Sequence, residues 1–283
     1  MIRLTIIMLS VLILTTPAWS QKPLLLGIHP FLPYETLEKK FAPLAAYLGQ
    51  ELDRLVIVRI GSSYQDHIDA TGHDQVDMAY LGPAEYVMLV EKYGPRPLIA
   101  CQETDGETFF RGVVVVRNDS PATSLAALEE GEFAFVDRHS TMGYLVPLAM
   151  LQQENPHLIA ERRYRFLKTH EDVALGVLAG DFAAGAVKEA VFQRFKTRGL
   201  KMLTATPAVA EYLFVASSTM PAMTVERLRL ALLNLKMTAE GRQVLYAIKE
   251  SLTGFSPVCD ADYDSLRQML ALPKQEEGVG NER

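Results

Sequence analysis

The sequence of 283 residues predicts an α/β protein made of two successive α/β segments and a helical tail. Short apolar, β-branched runs alternate with longer stretches whose apolar residues recur at helical spacing, and this alternation occurs twice. The tail then shows helical spacing alone. An apolar fraction of 49% is ordinary for a soluble globular protein, and the length suits two modest domains or one large one.

The first segment predicts four strands separated by three helices. The strands are residues 23–28, 54–60, 76–82 and 96–103, and the helices are residues 36–52, 64–72 and 83–94. Pro83 stands at the first turn of the third helix and Gly94 at its end, an asymmetry typical of helices. The order β-α-β-α-β-α-β predicts a parallel sheet covered by helices.

The second segment has the same kind of alternation without readable sequence identity to the first. Its strands are predicted at residues 110–119, 132–137, 163–169, 183–188, 200–206 and 211–217, and its helices at 124–131, 141–155, 170–181 and 189–199. Ser124 is the expected N-cap of the first of these helices. The tail is predicted to be helical at 224–238, 239–248 and 260–273, and the charged or small residues 274–283 are typical of a disordered end.

The N-terminus has the pattern of a secretory signal peptide. Arg3 precedes an apolar run from Leu4 to about Thr16, and the small-residue sequence AWS follows, which predicts a signal over residues 1–20 cut near Ser20. The alternative is an uncleaved N-terminal anchor, although the run is shorter than the roughly 20 residues that span a bilayer. No cysteine follows the run, so a lipoprotein anchor is not indicated. We therefore expect an exported, periplasmic protein.

Charge and cysteine content narrow the classes of partner. Loss of Arg3 leaves 27 of the 28 Lys and Arg residues against 34 acidic residues, a balance that argues against nucleic acid as a partner. The two cysteines, Cys101 and Cys259, could pair in an exported protein. The sequence does not place their Cα atoms within the required separation of about 4.4–6.8 Å, so bridged and free states stay open. No histidine cluster accompanies them, and neither a metal nor another cofactor is expected.

Motifs of common enzyme classes are absent from the sequence. It contains no dinucleotide-binding, P-loop, zinc-protease, nucleophile-elbow or C-x-x-C motif. Residues 260–265 resemble a calcium loop but lack its glycine and its final glutamate. Ser140 has no placed base, because the neighbouring His139 points elsewhere. We therefore expect a binding protein without catalysis; an exported hydrolase is a further class that a turnover assay would test.

Ser140 and Thr141 stand where a predicted strand ends and a helix begins. Ser and Thr are ordinary helix N-caps, which is one interpretation. The other is a site for an anion, since backbone N–H groups and hydroxyls converge at a helix N-terminus. The sequence around the pair leaves both interpretations open.

Seven stretches in order resemble the PhnD-like family of periplasmic phosphate-, phosphite- and phosphonate-binding proteins. They are FAPLAAYLGQEL, SYQDHIDA, VDMAYLGPAEY, VVVVRNDS, STMGYLVP, THEDVALGVLAG and GFSPVCDADYDSLR. The resemblance implies a type 2 periplasmic-binding fold, in which two α/β lobes joined by two crossover strands close on a ligand. Lobe 1 would take residues 21–107 with the tail 211–283, and lobe 2 residues 108–210.

The resemblance implies specific ligand-binding positions. Tyr64 matches a tyrosine that contacts ligand from lobe 1. Ser140 and Thr141 match the first two hydroxyls of a Ser-Thr-Ser-Gly anion motif, and Gly143 matches its glycine. Glu171, which follows His170, matches an acidic residue that receives a ligand amine, with a helix first-turn acid as the alternative.

Three positions depart from the family pattern. Met142 replaces the third hydroxyl, Phe110 replaces a tyrosine of the aminophosphonate binders, and Ala183 replaces the aspartate that pairs with the amine. We therefore expect 2-aminoethylphosphonate not to be the ligand. Met142 and Phe110 would form apolar cleft walls, with core packing as the alternative.

Two further candidates lie at strand ends, where open α/β sheets bind ligands. These are His29 after the first strand and Tyr80 beside the LGP turn, whereas Tyr86 is expected in the core. We expect a monomer that binds a small anionic ligand by lobe closure and passes it to a membrane ABC permease. The alternative is a sensor of the same fold that signals to a membrane kinase or cyclase.

Overall fold

The computed structural model describes residues 22–128 and 130–271 as two mixed α/β lobes. The chain first forms β1 (Leu24–Ile28), α1 (Tyr34–Leu52), β2 (Val56–Ile60), α2 (Tyr64–Gly72), β3 (Met78–Leu81), α3 (Pro83–Tyr93) and β4 (Leu98–Thr104). All seven elements lie where the sequence predicts them. The expected signal segment and the expected disordered end lie outside the described residues.

The chain then crosses to a second sheet and returns. The elements are β5 (Phe109–Phe110), β6 (Gly112–Arg117), β7 (Phe133–Phe135), a π-helical turn (Thr141–Leu145), α4 (Val146–Glu154), α5 (Pro156–Ala160), β8 (Tyr164–Phe166), α6 (His170–Ala179), β9 (Ala184–Lys188), α7 (Glu189–Phe195), β10 (Leu200–Ala205), β11 (Val209–Ala210) and β12 (Leu213–Ala216). The tail adds α8 (Ala222–Asn234), α9 (Ala239–Ile248), β13 (Leu252–Ser256), a 3-10 turn (Asp260–Tyr263) and α10 (264–271).

Lobe 1 is built on a six-stranded sheet and lobe 2 on a five-stranded sheet. The strand orders are β13-β4-β12-β3-β1-β2 and β10-β6-β9-β7-β8. The short strands β5 and β11 pair antiparallel, Val209 opposite Phe110 and Ala210 opposite Phe109, between the two sheets. Apolar clusters cover both faces of each sheet, which makes each lobe a three-layered unit with its own core.

The expectation of an all-parallel first sheet is wrong. β1 pairs parallel with β2 and β3, but β12 lies between β3 and β4 and runs antiparallel to both. β12 enters lobe 1 on the return from lobe 2, which reverses its direction. β13, in a stretch of the tail with no predicted strand, extends the same sheet antiparallel to β4.

The predicted helix at residues 124–131 does not form, because a side chain from elsewhere in the fold binds this stretch. Residues 124–128 form two overlapping turns. Asn155, between α4 and α5, donates through Nδ2 to the carbonyls of Leu125 (3.0 Å) and Leu128 (3.1 Å). Its Oδ1 accepts the N–H of Leu158 at 3.3 Å and caps α5. The buried Asn155 therefore holds these turns against lobe 2.

Both cysteines are free thiols in this structure. Cys101 is buried in β4, whereas Cys259 is exposed ahead of the 3-10 turn. Burial raises the pKa of the Cys101 thiol to about 12, so it stays protonated at neutral pH. Of the two states that the sequence leaves open, the structure has the unbridged one.

No helix among residues 22–128 and 130–271 is both long enough and apolar enough to cross a bilayer.

Replacement of Asn155 tests whether it organises lobe 2. We expect Asn155→Ala to lower the free energy of unfolding by about 2–4 kcal/mol, because the cap is lost and two buried carbonyls lose their donor. Urea unfolding would measure it. Asn118→Ala, at an exposed asparagine, is the matched control and should change stability by less than about 0.5 kcal/mol. Equal stability of the two variants would contradict this role.

Candidate functional site

The candidate site lies where strand ends of the two lobes face each other. His29 directly follows β1 and Tyr80 lies near the end of β3 in lobe 1. Ser140 comes shortly after β7, and Lys188 is the last residue of β9 in lobe 2. Open α/β sheets bind ligands beyond the carboxyl ends of their parallel strands. The two lobes thus present corresponding edges to one cleft.

Ser140 begins the helix that borders the cleft from lobe 2. Its Oγ accepts the N–H of Gly143 at 3.1 Å, and its carbonyl accepts the N–H groups of Tyr144 and Leu145. A Cβ on Gly143 would lie 2.5 Å from Cγ2 of Val136 and 2.7 Å from Oγ of Ser140. Glycine is therefore required at residue 143 for this capped turn to form against β7.

A hydrogen bond between the lobes joins two helix N-termini. The N–H of Ala84, in the first turn of α3, donates to Oγ1 of Thr141 at 3.1 Å. Ser140 and Thr141 are both 6% exposed and both hydroxyl oxygens accept hydrogen bonds, so each hydroxyl proton is left to donate. Each helix N-terminus carries about half a positive charge. The capping and anion-site interpretations are thus compatible.

Met142 packs into the core of lobe 1 rather than forming an open wall of the cleft. Its side chain is 1% exposed and belongs to the apolar cluster that contains Val87 and Leu213. Its sulfur accepts a hydrogen bond from Oγ1 of Thr206 at 3.4 Å. Core packing therefore describes Met142, which anchors the Ser140 helix against the opposite lobe.

Aromatic rings from lobe 1 surround His29, which is fully buried. Its imidazole stacks on Tyr80 (5.7 Å between centroids) and Tyr64 (5.5 Å) and lies 5.3 Å from Tyr212. Tyr64 also stacks on His139 of lobe 2, with centroids 6.2 Å apart. Tyr64, the first residue of α2, thus links the aromatic wall of lobe 1 to the residue before Ser140.

The buried pair His29 and Glu85 lies at the base of the wall. Nδ1 of His29 is 2.9 Å from Oε2 of Glu85, a close contact of ring nitrogen and carboxylate oxygen that is not aligned as a hydrogen bond. The same carboxylate oxygen accepts the N–H of Gly82 at 2.7 Å and completes the capping box of α3. Behind them, burial lowers the pKa of His67 to about 4, so this histidine is neutral at pH 7.

The hydroxyl of Tyr80 is used within lobe 1. It donates to Oε1 of Gln102, whose Nε2 donates to Oε2 of Glu211 at 3.1 Å. Only the ring of Tyr80 is left to border the site. Tyr86, expected in the core, is 1% exposed. Phe110 lies on β5 between the lobes, with its ring 5.8 Å from that of Tyr212.

Two predicted amine-binding positions do not join this cluster. Glu171 is exposed and pairs with Arg194 at 2.6 Å. Ala183 precedes β9 at the end remote from the cleft, about 16 Å from the Cα of Lys188 at roughly 3.3 Å per residue. Ala183 therefore lies away from the side chains gathered at the cleft, and the expectation that 2-aminoethylphosphonate is not the ligand gains no support from this residue.

Lys188 and Tyr212 are site residues that the sequence analysis missed. The ammonium of Lys188 lies 4.6 Å from the Tyr212 ring centroid and 5.9 Å from that of Phe31, across the cleft. Its backbone N–H donates to Nδ1 of His170 at 3.2 Å. The strand-end argument that selected His29 also applies to Lys188, which closes the run AAGAVK. Tyr212 carries no comparable local signal, because its position depends on the return of β12.

A cavity of about 480 Å³ opens beside Lys188 on the side of β5. Its charged lining residues are the basic Arg111, Lys188 and Lys249 and the acidic Asp105, Glu107, Glu189 and Glu211. Among residues 22–128 and 130–271, no group of three or more His, Cys, Asp or Glu side chains is arranged to hold a metal ion.

Comparison with known proteins agrees with this architecture. Phosphate-import protein PhnD of Mycolicibacterium smegmatis is 24% identical over 268 residues, which cover 86% of this chain and 84% of that protein. PhnD1 of Prochlorococcus marinus, solved with methylphosphonate, superposes with a TM-score of 0.76 at 21% identity, covering 88% and 97% of the two chains. A binding protein component of an ABC phosphonate transporter from Pseudomonas aeruginosa superposes with a TM-score of 0.75 at 22% identity. The match covers 92% of this chain and 88% of that chain.

The fold shared with these structures is the type 2 periplasmic-binding fold. Residues 26–263 match the family described as the periplasmic substrate-binding protein of phosphonate ABC transporters. Since that match spans most of the chain, this protein belongs to the family of periplasmic substrate-binding proteins of phosphonate ABC transporters.

Proposed function

We propose that this protein binds a small oxyanion of the phosphonate, phosphite or phosphate class between its lobes and delivers it to a membrane ABC permease. The observation that carries the proposal is the meeting of two helix N-termini at the Ala84–Thr141 hydrogen bond. Two positive helix ends at one point favour an anion between them. Family membership supports transport as the purpose of that binding.

The donors for the anion come from both lobes. Ser140 and Thr141 each retain a hydroxyl proton, and the N–H groups of Thr141 and Met142 in the first turn of their helix have no intrahelical acceptor, whereas that of Gly143 donates to Ser140. The hydroxyl of Tyr64 makes no hydrogen bond among the described residues and lies at the lobe boundary. These groups would surround a tetrahedral oxyanion with hydrogen-bond donors, which are stronger toward a charged acceptor.

Lobe closure is the step that completes the site. β5 and β11 are the two short crossovers, and a change of backbone angles beside them would move one lobe as a rigid body. Closing brings Thr141 to Ala84 and His139 to Tyr64. The protein acts as a periplasmic monomer and catalyses no reaction. The permease recognises its closed, ligand-bound form.

A binding panel tests the proposal directly. The mature protein is titrated by thermal shift and calorimetry with phosphate, phosphite, methylphosphonate, 2-aminoethylphosphonate, sulfate, thiosulfate and several carboxylates. A ligand at about 100 times its Kd should stabilise the protein by about 2.7 kcal/mol. We expect stabilisation by at least one phosphorus oxyanion and by no carboxylate. No response to any phosphorus oxyanion would disprove the proposal.

Removing the two hydroxyls should weaken binding. We expect Ser140→Ala combined with Thr141→Val to reduce oxyanion affinity by at least about 100-fold, since hydrogen bonds to charged groups contribute about 1.5–3 kcal/mol each. Calorimetry would measure Kd. Thr141→Ser keeps the hydroxyl and should bind within a few-fold of the wild type.

Thr197→Val, at an exposed threonine, is the matched control and should leave Kd unchanged. Unchanged affinity in the double variant would remove the helix N-terminus from the site. Loss of binding in the control as well would show that the effect is not specific to the two hydroxyls.

The Tyr64 hydroxyl gives a separate prediction. Tyr64→Phe keeps the ring stacked on His29 and His139 but removes the hydroxyl, and we expect about a 10-fold weaker Kd for the bound oxyanion. Tyr246→Phe, at an exposed tyrosine of α9, is the control. If Tyr64→Phe binds as tightly as wild type, Tyr64 acts through its ring alone.

A further inference from the structure

Lys188 is a cation in the cleft whose ammonium has no anionic partner. Among the described residues, no carboxylate oxygen lies within 4.0 Å of its Nζ and no hydrogen bond involves Nζ. The ammonium instead faces the rings of Tyr212 and Phe31 from the opposite lobe. Burial lowers the pKa of Lys188, and the carboxylates of Glu211 and Glu85 partly oppose that effect.

The two nearby carboxylates are already bound elsewhere. Glu211 accepts from Gln102 Nε2 at 3.1 Å, from Thr104 Oγ1 at 2.8 Å and from the N–H of Tyr212 at 3.2 Å. Oε2 of Glu85 receives the N–H of Gly82 and faces His29. Neither group is placed to neutralise Lys188 directly. An ammonium withdrawn from water without such a partner is unfavourable unless a bound anion completes the site.

The cavity next to Lys188 contains a second ammonium. Lys249 lines the same space, and its Nζ donates to Oγ1 of Thr104 at 3.2 Å. Arg111 also lines it and is 3.7 Å from Glu189. The other carboxylates of the lining are Glu189, which pairs with Arg111, and the exposed Asp105 and Glu107. A ligand substituent that enters the cavity beside Lys188 would therefore meet two partly buried lysines, whereas Asp105 and Glu107 are screened by solvent.

We propose that Lys188 is the specificity-determining counter-charge of the site, restricting the ligand to oxyanions whose substituent carries no amine. The inference rests on the proposed function and names its substrate class: phosphate, phosphite and simple alkylphosphonates. A ligand ammonium would approach Lys188 and Lys249, and like charges in a partly desolvated cleft repel strongly. Exclusion of aminophosphonates thus follows from a cation at the end of β9, not from the residue at position 183.

Two ligands that differ only in an amine provide the test. Ethylphosphonate and 2-aminoethylphosphonate are titrated into the wild type, Lys188→Met, Lys188→Arg and the exposed-lysine control Lys196→Met. We expect the wild type and Lys196→Met to prefer ethylphosphonate by at least about 10-fold. Lys188→Met should bind ethylphosphonate about 10- to 100-fold more weakly and lose most of the preference. Lys188→Arg should keep both the affinity for ethylphosphonate and the preference for it over 2-aminoethylphosphonate.

The ligand-free melting temperature separates this role from a structural one. Removing an unpaired, partly buried ammonium should raise the melting temperature of Lys188→Met while its affinity falls. A variant with impaired folding would instead show a lower melting temperature and a lower affinity. Should Lys188→Met fail to fold, Lys188→Arg alone decides the question through its pH profile.

The pH profile has a definite sign. Once ethylphosphonate has lost its second proton, further increase in pH deprotonates Lys188 earlier than an ordinary lysine and weakens wild-type binding. The charged or titratable groups around Lys188 are Glu85, Glu211, His170, Tyr212 and Lys249, together with Arg111, Glu189, Asp105 and Glu107 from the adjoining cavity. Lys188→Arg keeps its charge and should bind with no loss over the same range.

Three outcomes would overturn the inference. Equal or tighter binding of 2-aminoethylphosphonate by the wild type would point to a carboxylate such as Glu85 as the receiver of the amine. Unchanged affinity for ethylphosphonate in Lys188→Met would show that Lys188 is not the counter-charge of the bound oxyanion. Absence of any oxyanion binding by the wild type would disprove the proposed function itself, which is a different result from binding without discrimination.

Discussion

The hydrogen bond from Ala84 to Thr141 is the contact on which the arrangement of the site depends. It brings the first turn of a lobe 1 helix to the first turn of a lobe 2 helix, each with a partial positive charge. The two partial positive charges repel each other, and negative charge close to both ends offsets that repulsion. The capping carboxylate Glu85 supplies part of that negative charge, and a bound anion would supply the rest.

Other residues of the site fix the positions of these two helix N-termini relative to each other. Gly143 permits the Ser140 turn to lie against β7, and the buried Met142 fixes that turn to the core of the opposite lobe. On the other side, His29 holds Tyr64, Tyr80 and Tyr212 in one group of stacked rings. The cleft is thus aromatic on the lobe 1 side and polar at the start of the Ser140 helix, which suits a small ligand with one charged end.

Local sequence predicts the local parts of this architecture and misses those that depend on distant segments. Helices such as α1 and α3 follow from apolar spacing and end signals within one stretch of chain. The antiparallel insertion of β12 between β3 and β4 depends on the chain's return from lobe 2, which no local pattern reports. The predicted helix at 124–131 is lost because Asn155, about thirty residues away, binds its carbonyls. In the site, Ser140 and Gly143 carry motif signals, whereas Lys188 becomes prominent only when β9 is seen to end at the cleft.

The contacts between the lobes also suggest why a ligand would control closure. In the arrangement seen here, the partly buried ammonium of Lys188 faces aromatic rings and lacks a carboxylate within 4.0 Å, while two helix N-termini meet nearby. Opening the lobes would return Lys188 to water and separate the helix ends, so both features disfavour an empty closed state. An anion in the cleft reverses both effects. Because a ligand shifts a conformational equilibrium only by its difference in affinity for the two states, charges left unsatisfied in the closed state are the means by which binding can drive closure.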